Sequence, residues 1–322
     1  MRLVFVGTDD IGALALKEII GSSHEVLFVI SQPDRPKGRG KKITPGPVRQ
    51  VADEYDIRIY QPESIREDVT RNAIIEASPD IMVVVSYGEY IPSKIFKAPE
   101  FGSINLHPSL LPRWRGAAPV RYALLAGDEV TGVTVQYLHK RMDAGDILAQ
   151  VEVPIEPVDD HGSLCDRLHP LGAKLVVEVL DRFDKKGHEI ESYVQDEEKI
   201  TQAPKITKDD LWIDWTRSAV DVRNKIRAFA PSPGARAQFR GELYKILRVE
   251  DVNDYPNEPV PGLIYGIPYP IVDCVDKGLK IITIQPPGKK PIDGADFRNG
   301  YRLADGEMFG GKELLSEWEG SS

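Results

Sequence analysis

Two cysteines, Cys165 and Cys274, are all the thiol chemistry this 322-residue chain holds, and they lie far apart. That excludes a disulfide framework and a zinc site of ordinary spacing. No window approaches the roughly 18 continuous apolar residues of a membrane span. The opening "MRLVFVGTDD" is a short apolar run closed by glycine and two acids, which reads as a strand and not as a secretory leader. A cytoplasmic location with no membrane partner is expected. Positive charge is also in deficit: 41 Lys and Arg against 50 Asp and Glu leave a formal charge of -9. Such a balance argues against nonspecific nucleic-acid binding over the whole surface, though not against a local basic site. The dinucleotide fingerprint G-x-G-x-x-G is missing too. The first loop reads "VGTDDIGA", with Asp9 two residues after Gly7 and Asp10 next to it. Two carboxylates at a helix N-terminus complement its dipole and repel a phosphate. There is no internal repeat and no low-complexity tract.

What is present is ordinary globular composition, 41% hydrophobic and 28% charged, at a length that fits two domains. Apolar runs at 3–6, 26–30 and 81–85 have the texture of buried parallel strands. Amphipathic stretches around 11–20, 48–55 and 66–77 alternate with them. This alternation predicts an α/β fold, a Rossmann-like, doubly wound, mostly parallel sheet. Residues 131–138 and 147–153 add β character, and a long helix follows from about 162 to 185, with a bend expected at Pro170. Residues 186–215 are polar and read as a connection. Beyond it, Ser218 is placed to cap a helix that stops before Pro231, and short β segments then alternate with Pro/Gly turns. The expected division is a first domain over 1–205 and a smaller all-β barrel or sandwich over 206–322.

Two segments carry chemistry. "SQPDRPKGRGKKITPGPVR", residues 31–49, gathers Arg35, Lys37, Arg39, Lys41, Lys42 and Arg49 against the single acid Asp34. Its prolines and glycines are expected to prevent regular helix or sheet. Most charge runs are solvated faces, yet so long a loop within an α/β unit is more often functional, and its charge suits phosphates. The second segment is "INLHPSLLPRWRGAAPV", residues 104–120. Asn105 and His107 are two apart on a strand and so share a face. Pro108 pushes His107 into extended backbone at the strand's C-terminal end, where open α/β sheets bind ligands. "HKRMDAGDIL", residues 139–148, sets Asp143 and Asp146 in a glycine-containing turn, and an Asp beside an imidazole would hold its tautomer. That Asp143 reaches His107 is an inference from the fold and not from the spacing.

"INLHPSLLPRWRGAAPV" together with "TGVTVQYLHKRMDAGDIL" resembles the folate-dependent formyltransferase family. The longer match, through "QPDRPKGRGKKITPGPV", "PDIMVVVSYGEYIP", "IDW", "IRAFAPSPGA" and "IQPPGKKPIDGADFRNG", is to the branch that acts on methionyl-tRNA. It departs at the first turn, where the family usually has Gly-Thr-Pro, and is patchier through 251–276. The resemblance implies 10-formyltetrahydrofolate as co-substrate, no metal, and initiator methionyl-tRNA as acceptor. It implies Asn105, His107 and Asp143 as catalytic residues. Folate is then expected against Ser86, Tyr87 and Gly88 and against Ser109, Leu110, Leu111 and Pro112. Arg35, Lys37, Arg39, Lys41 and Lys42 are expected to meet the tRNA, aided by a C-terminal OB-like β-barrel. Two alternatives stay open: another amine acceptor such as an amino-sugar nucleotide, and a dinucleotide-dependent oxidoreductase.

Overall fold

The computed structural model describes residues 1–37, 42–252 and 258–311, and of Lys37 and Lys42 the backbone only. The chain divides into two compact units. One comprises Met1–Pro119, Val130–Pro154 and Asp166–Pro204, and the other Val120–Glu129, Ile155–Cys165 and Lys205–Ser322. The second unit thus draws two short pieces from between segments of the first.

In the first unit the chain runs β1 (Arg2–Gly7), α1 (Asp10–Ile20), β2 (Glu25–Ile30), β3 (Arg35–Lys37) and β4 (Lys42–Thr44). It continues through α2 (Pro47–Glu54), β5 (Ile59–Tyr60), α3 (Asp68–Ala77), β6 (Ile81–Val85), α4 (Ser93–Phe96) and β7 (Ser103–His107). After β8 (Arg115–Gly116) comes α5 (Pro119–Ala126), which beyond Pro119 belongs to the second unit, then β9 (Val130–Tyr137), β10 (Ile147–Pro154), α6 (His161–Lys186), in the first unit from Asp166 on, and β11 (Gln202–Ala203). Seven strands form one sheet in the order β10-β9-β7-β6-β1-β2-β5. The five strands from β7 to β5 are parallel, while β9 runs antiparallel to both β7 and β10. The expected doubly wound, mostly parallel sheet is the one found. β6 is apolar and buried at every position, as a strand covered on both faces is. Val4, Val6, Phe28, Ile30, Met82 and Val84 pack against Ile65, Ile74, Ile95 and Phe96 on one face.

Sequence order reverses on either side of β1, so the C-terminal ends of β1 and β6 form the switch point at which such sheets open a crevice. Gly7 lets those strands meet: a Cβ there would lie 2.7 Å from the Val85 carbonyl oxygen. The glycine that suggested a nucleotide loop therefore serves packing. α6 runs through Pro170 as one helix of 26 residues.

Within residues 31–49 the expectation of no regular structure is corrected. β3 and β4 pair antiparallel in the register Arg35↔Thr44, Pro36↔Ile43 and Lys37↔Lys42. A two-stranded ribbon asks ladder bonds only of alternate residues, so Pro36 is tolerated. Asp34 secures its base, accepting from the Gly46 N–H at 3.1 Å and from Gln61 Nε2 at 3.0 Å. Arg49 is spent nearby, its Nε donating to the Asp53 carboxylate at 2.8 Å.

In the second unit α7 (Ala219–Phe229) is capped by Ser218, whose Oγ accepts the Asp221 N–H at 3.1 Å. There follow β12 (Ala235–Phe239), β13 (Glu242–Asp251), β14 (Ile264–Tyr265), β15 (Ile271–Asp273), β16 (Gly278–Gln285), β17 (Ile292–Asp293) and α8 (Gly294–Gly300). The strands form an antiparallel sheet in the order β12-β13-β16-β15-β14, with β17 on β16. Phe239, Tyr244, Phe297 and Phe309 build its aromatic core, with the Phe239 and Phe309 rings 5.1 Å apart.

Candidate active site

β7 ends in the two side chains that the strand's period of two places on one face. Asn105 is half-buried, and no hydrogen bond to its amide is found among the described residues. His107 is buried, with 4% of its surface exposed. Its Nε2 lies 2.9 Å from the Trp114 carbonyl oxygen. A carbonyl only accepts, so Nε2 carries a hydrogen. The nitrogen free to gain or lose a proton is Nδ1, which faces Asp143 Oδ1 at 3.7 Å. The turn after β7 brings the Trp114 carbonyl back to the imidazole.

Asp143 comes from the turn between β9 and β10. Its Oδ2 accepts the Gly116 N–H at 2.8 Å, and its Oδ1 accepts from Gln136 Nε2 at 3.3 Å. Gln136 stands opposite Asn105 in the β7–β9 ladder. The carboxylate is therefore held by a backbone donor and an amide while one oxygen faces the imidazole. The structure brings His107 and Asp143 together and leaves the Asn105 amide unoccupied on the same face of the strand. Ser86, Trp114 and Asp143 all have positive φ, 49°, 64° and 49°, in a chain with seven such non-glycine residues described. Left-handed backbone in non-glycine residues is costly and gathers at functional sites.

At the end of β6, Ser86 donates from Oγ to Asp9 Oδ2 at 2.8 Å, so the Asp9 carboxylate stands at the switch point itself. This is poor ground for a pyrophosphate. The Tyr87 ring turns into the core, where burial pushes its phenol far above the ordinary range. The Tyr87 carbonyl already accepts from Gln32 Nε2 at 3.0 Å. Gly88 is exposed. Beyond His107, Ser109 and Leu111 are buried, and the Leu111 N–H donates to Thr134 Oγ1 at 3.2 Å. Leu110 and Pro112 line a cavity of about 460 Å³ with Arg113, Lys199 and Thr201. A second cavity, of about 500 Å³, lies along Phe96, Tyr137, His139, Arg141, Gly145 and Gln195. Of the basic residues, Arg35 is exposed at the start of its ribbon. Lys37 and Lys42 are described in backbone only, and Arg39 and Lys41 lie outside the described residues.

Sequence reasoning missed three buried polar residues behind the Asp143 turn: Arg115, Gln136 and Gln195, which are 5%, 1% and 5% exposed. Gln195 falls in the stretch read as a plain connection. Its polar texture gives no sign of burial; the bridge of Tyr193 with Ile147, two residues before it, places it against the Asp143 turn.

Residues 1–180 match the formyl transferase family, and residues 205–302 match the formyl transferase C-terminal domain. A methionyl-tRNA formyltransferase of Methylococcus capsulatus is 39% identical over 304 residues, which cover 94% of this chain and 98% of that protein. One from Geobacter sulfurreducens is 37% identical over 310 residues, covering 96% and 97%. Among solved structures, an N-formyltransferase of Helicobacter canadensis, in complex with folinic acid and dTDP-3-aminofucose, superposes with a TM-score of 0.67 at 17% identity over 87% of this chain and 98% of that one. HypX of Aquifex aeolicus, in complex with tetrahydrofolic acid, gives a TM-score of 0.64 at 18% identity over 95% of this chain. The chain spans about half of HypX, 48%. These two likenesses concern the fold alone.

Proposed function

Because the chain belongs to the methionyl-tRNA formyltransferase family of formyl transferases, we propose that it transfers the formyl group of 10-formyltetrahydrofolate to the α-amine of initiator methionyl-tRNA. The reaction is set at the end of β7, and a cytoplasmic site of action belongs to the same reading. Residues 1–205 form the catalytic part and residues 206–322 the tRNA-binding part. The observation that carries the catalytic assignment is the buried His107 Nδ1 facing Asp143 at 3.7 Å, two residues from an unoccupied amide.

The acceptor amine attacks the formyl carbon, a C–N bond forms, and the carbonyl oxygen becomes anionic. The folate nitrogen then leaves and takes a proton, while the amine gives one up. An α-amine has a pKa of about 8, so a useful fraction is already neutral. The larger demand is for donors aimed at the oxyanion. Asn105 meets it with an amide N–H that stays a donor throughout the working pH range. With His107 Nε2 held by Trp114, proton movement runs through Nδ1, and Asp143 supports the imidazolium there. Folate rests against the backbone of Ser86, Tyr87 and Gly88 and the 109–112 turn, a mix of apolar wall and backbone polar groups that suits a flat ring with polar edges. Arg35, Lys37, Arg39, Lys41 and Lys42 bring the basic segment to the tRNA backbone.

The test is incubation with 10-formyltetrahydrofolate and either initiator or elongator methionyl-tRNA, with a sugar amine as the competing acceptor. Acid-stable formyl-methionyl product is expected, faster with the initiator. Asn105→Ala and His107→Ala should each lose on the order of a hundredfold or more while retaining the fold. Formylation of the sugar amine in place of the aminoacyl-tRNA would refute the acceptor, and near wild-type rates in both variants would refute the site.

A further inference from the structure

We propose that Gln195 is a positioning residue for Asp143. It is gripped from one side by Arg115 and aims hydrogen-bond donors at the turn that carries the carboxylate. The proposal rests on the formyl-transfer reading above.

The polarity of the contact is set by chemistry. The Arg115 guanidinium can only donate, and its Nε and Nη2 lie 2.9 and 2.7 Å from Gln195 Oε1. That fixes the amide, so Gln195 Nε2 must be the donor at the other end. It lies 2.9 Å from the Asp143 carbonyl oxygen, 2.7 Å from that of Gly145 and 3.1 Å from Gln136 Oε1. Two hydrogens serve these three acceptors, the two carbonyls being the nearer, and Gln136 is oriented by the carboxylate itself, which only accepts and so takes the Gln136 Nε2 hydrogen at Oδ1. A line of one-way donors thus runs from Arg115 through Gln195 to the two carbonyls of the turn that carries the carboxylate. The same glutamine pins the backbone on which that carboxylate sits, where Asp143 holds a positive φ.

Gln195 is carried by an extended strap. Tyr193 pairs with Ile147 through two backbone bonds of 2.9 and 3.0 Å. Farther along, the Thr201 carbonyl accepts the Arg115 N–H at 2.9 Å and its Oγ1 accepts the Trp114 N–H at 2.8 Å. The strap therefore holds both sides of the pair, the Asp143 turn directly and His107 through Trp114. Displacing a reacting group by about 1 Å can cost a hundredfold in rate, so a fixed second layer has kinetic value.

The test compares wild type with Gln195→Glu and Gln195→Met in single- and multiple-turnover formyl transfer, with thermal melts alongside. Gln195→Glu keeps the size and the Arg115 contact but replaces the donor with an acceptor. Gln195→Met keeps the length without polarity. Both should lose about tenfold to a hundredfold in kcat, with KM for 10-formyltetrahydrofolate and for methionyl-tRNA changed by no more than about threefold. If Gln195→Glu turns over like wild type, the glutamine serves only to hold Arg115 and the proposal fails. It fails equally if either variant raises KM at unchanged kcat. Should one variant melt too low to assay, the other decides. A wild-type enzyme that forms no formyl-methionyl product sinks the underlying reading instead.

Discussion

Gly116→Ala tests whether the meeting of β8 and β11 sets the active site. Gly116 has φ 127°, outside the regions that side chains tolerate, and a Cβ there would lie 2.4 Å from the Ala203 carbonyl oxygen. That oxygen is backbone in a parallel pairing with β8 and accepts the Ala118 N–H at 3.2 Å, so it cannot yield cheaply. Left-handed backbone alone costs about 1–2 kcal/mol in a non-glycine residue. Separating the two strands adds the clash and a ladder bond worth about 1 kcal/mol. Together they come to roughly 3 kcal/mol, or about 6–12 °C in melting temperature for a unit of this size. Gly102→Ala supplies the control: its φ is also positive, at 72°, but nothing lies within 4 Å of the added carbon. It should cost only the backbone part. The catalytic consequence is separate. The Gly116 N–H donates to Asp143 Oδ2 at 2.8 Å, so moving β8 withdraws a donor from the carboxylate. Formyl transfer by Gly116→Ala, assayed well below its melting point, should fall about tenfold or more, while Gly102→Ala stays near wild type. Equal melting shifts for the two variants, or full activity in Gly116→Ala, would refute the reasoning.

Three further outcomes are expected. Burial, helped by the neighbouring Asp276 and Asp273, pushes the Cys274 thiol up to about 12, so a thiol reagent at pH 8 should label Cys165 in the folded protein and reach Cys274 only on unfolding. Burial holds the His169 imidazole below its ordinary value against the pull of Asp10 and Asp166. The unfolded chain then takes up this proton first as pH falls through about 6.5, so stability is full above that pH and declines below it. Melting temperature should drop between pH 7 and 5, and by less in His169→Gln; an unchanged slope would count against the burial argument. Binding of tRNA should weaken as salt rises, and Arg35→Ala should lower the slope of log affinity against log salt by about one if that residue meets a phosphate. A slope unaltered in the variant would remove Arg35 from the interface.

Local pattern was enough wherever one segment carries its own signal. The continuous apolar runs that became β1, β2 and β6 could only be strands covered on both faces, and the spacing of Asn105 and His107 fixed their shared side before any coordinate was known. Ser218 announced its helix by the capping rule and did cap it. The ribbon within 35–44 escaped because composition counts prolines without asking which residues a two-stranded pairing needs. What tertiary structure alone decided is long-range. Thirty-five residues of intervening chain separate His107 from Asp143, and only the β7–β9–β10 order closes that gap to 3.7 Å. Only the fold, likewise, turns one glutamine in a polar connection into a buried donor, because burial is a property of neighbours that a sequence position does not state.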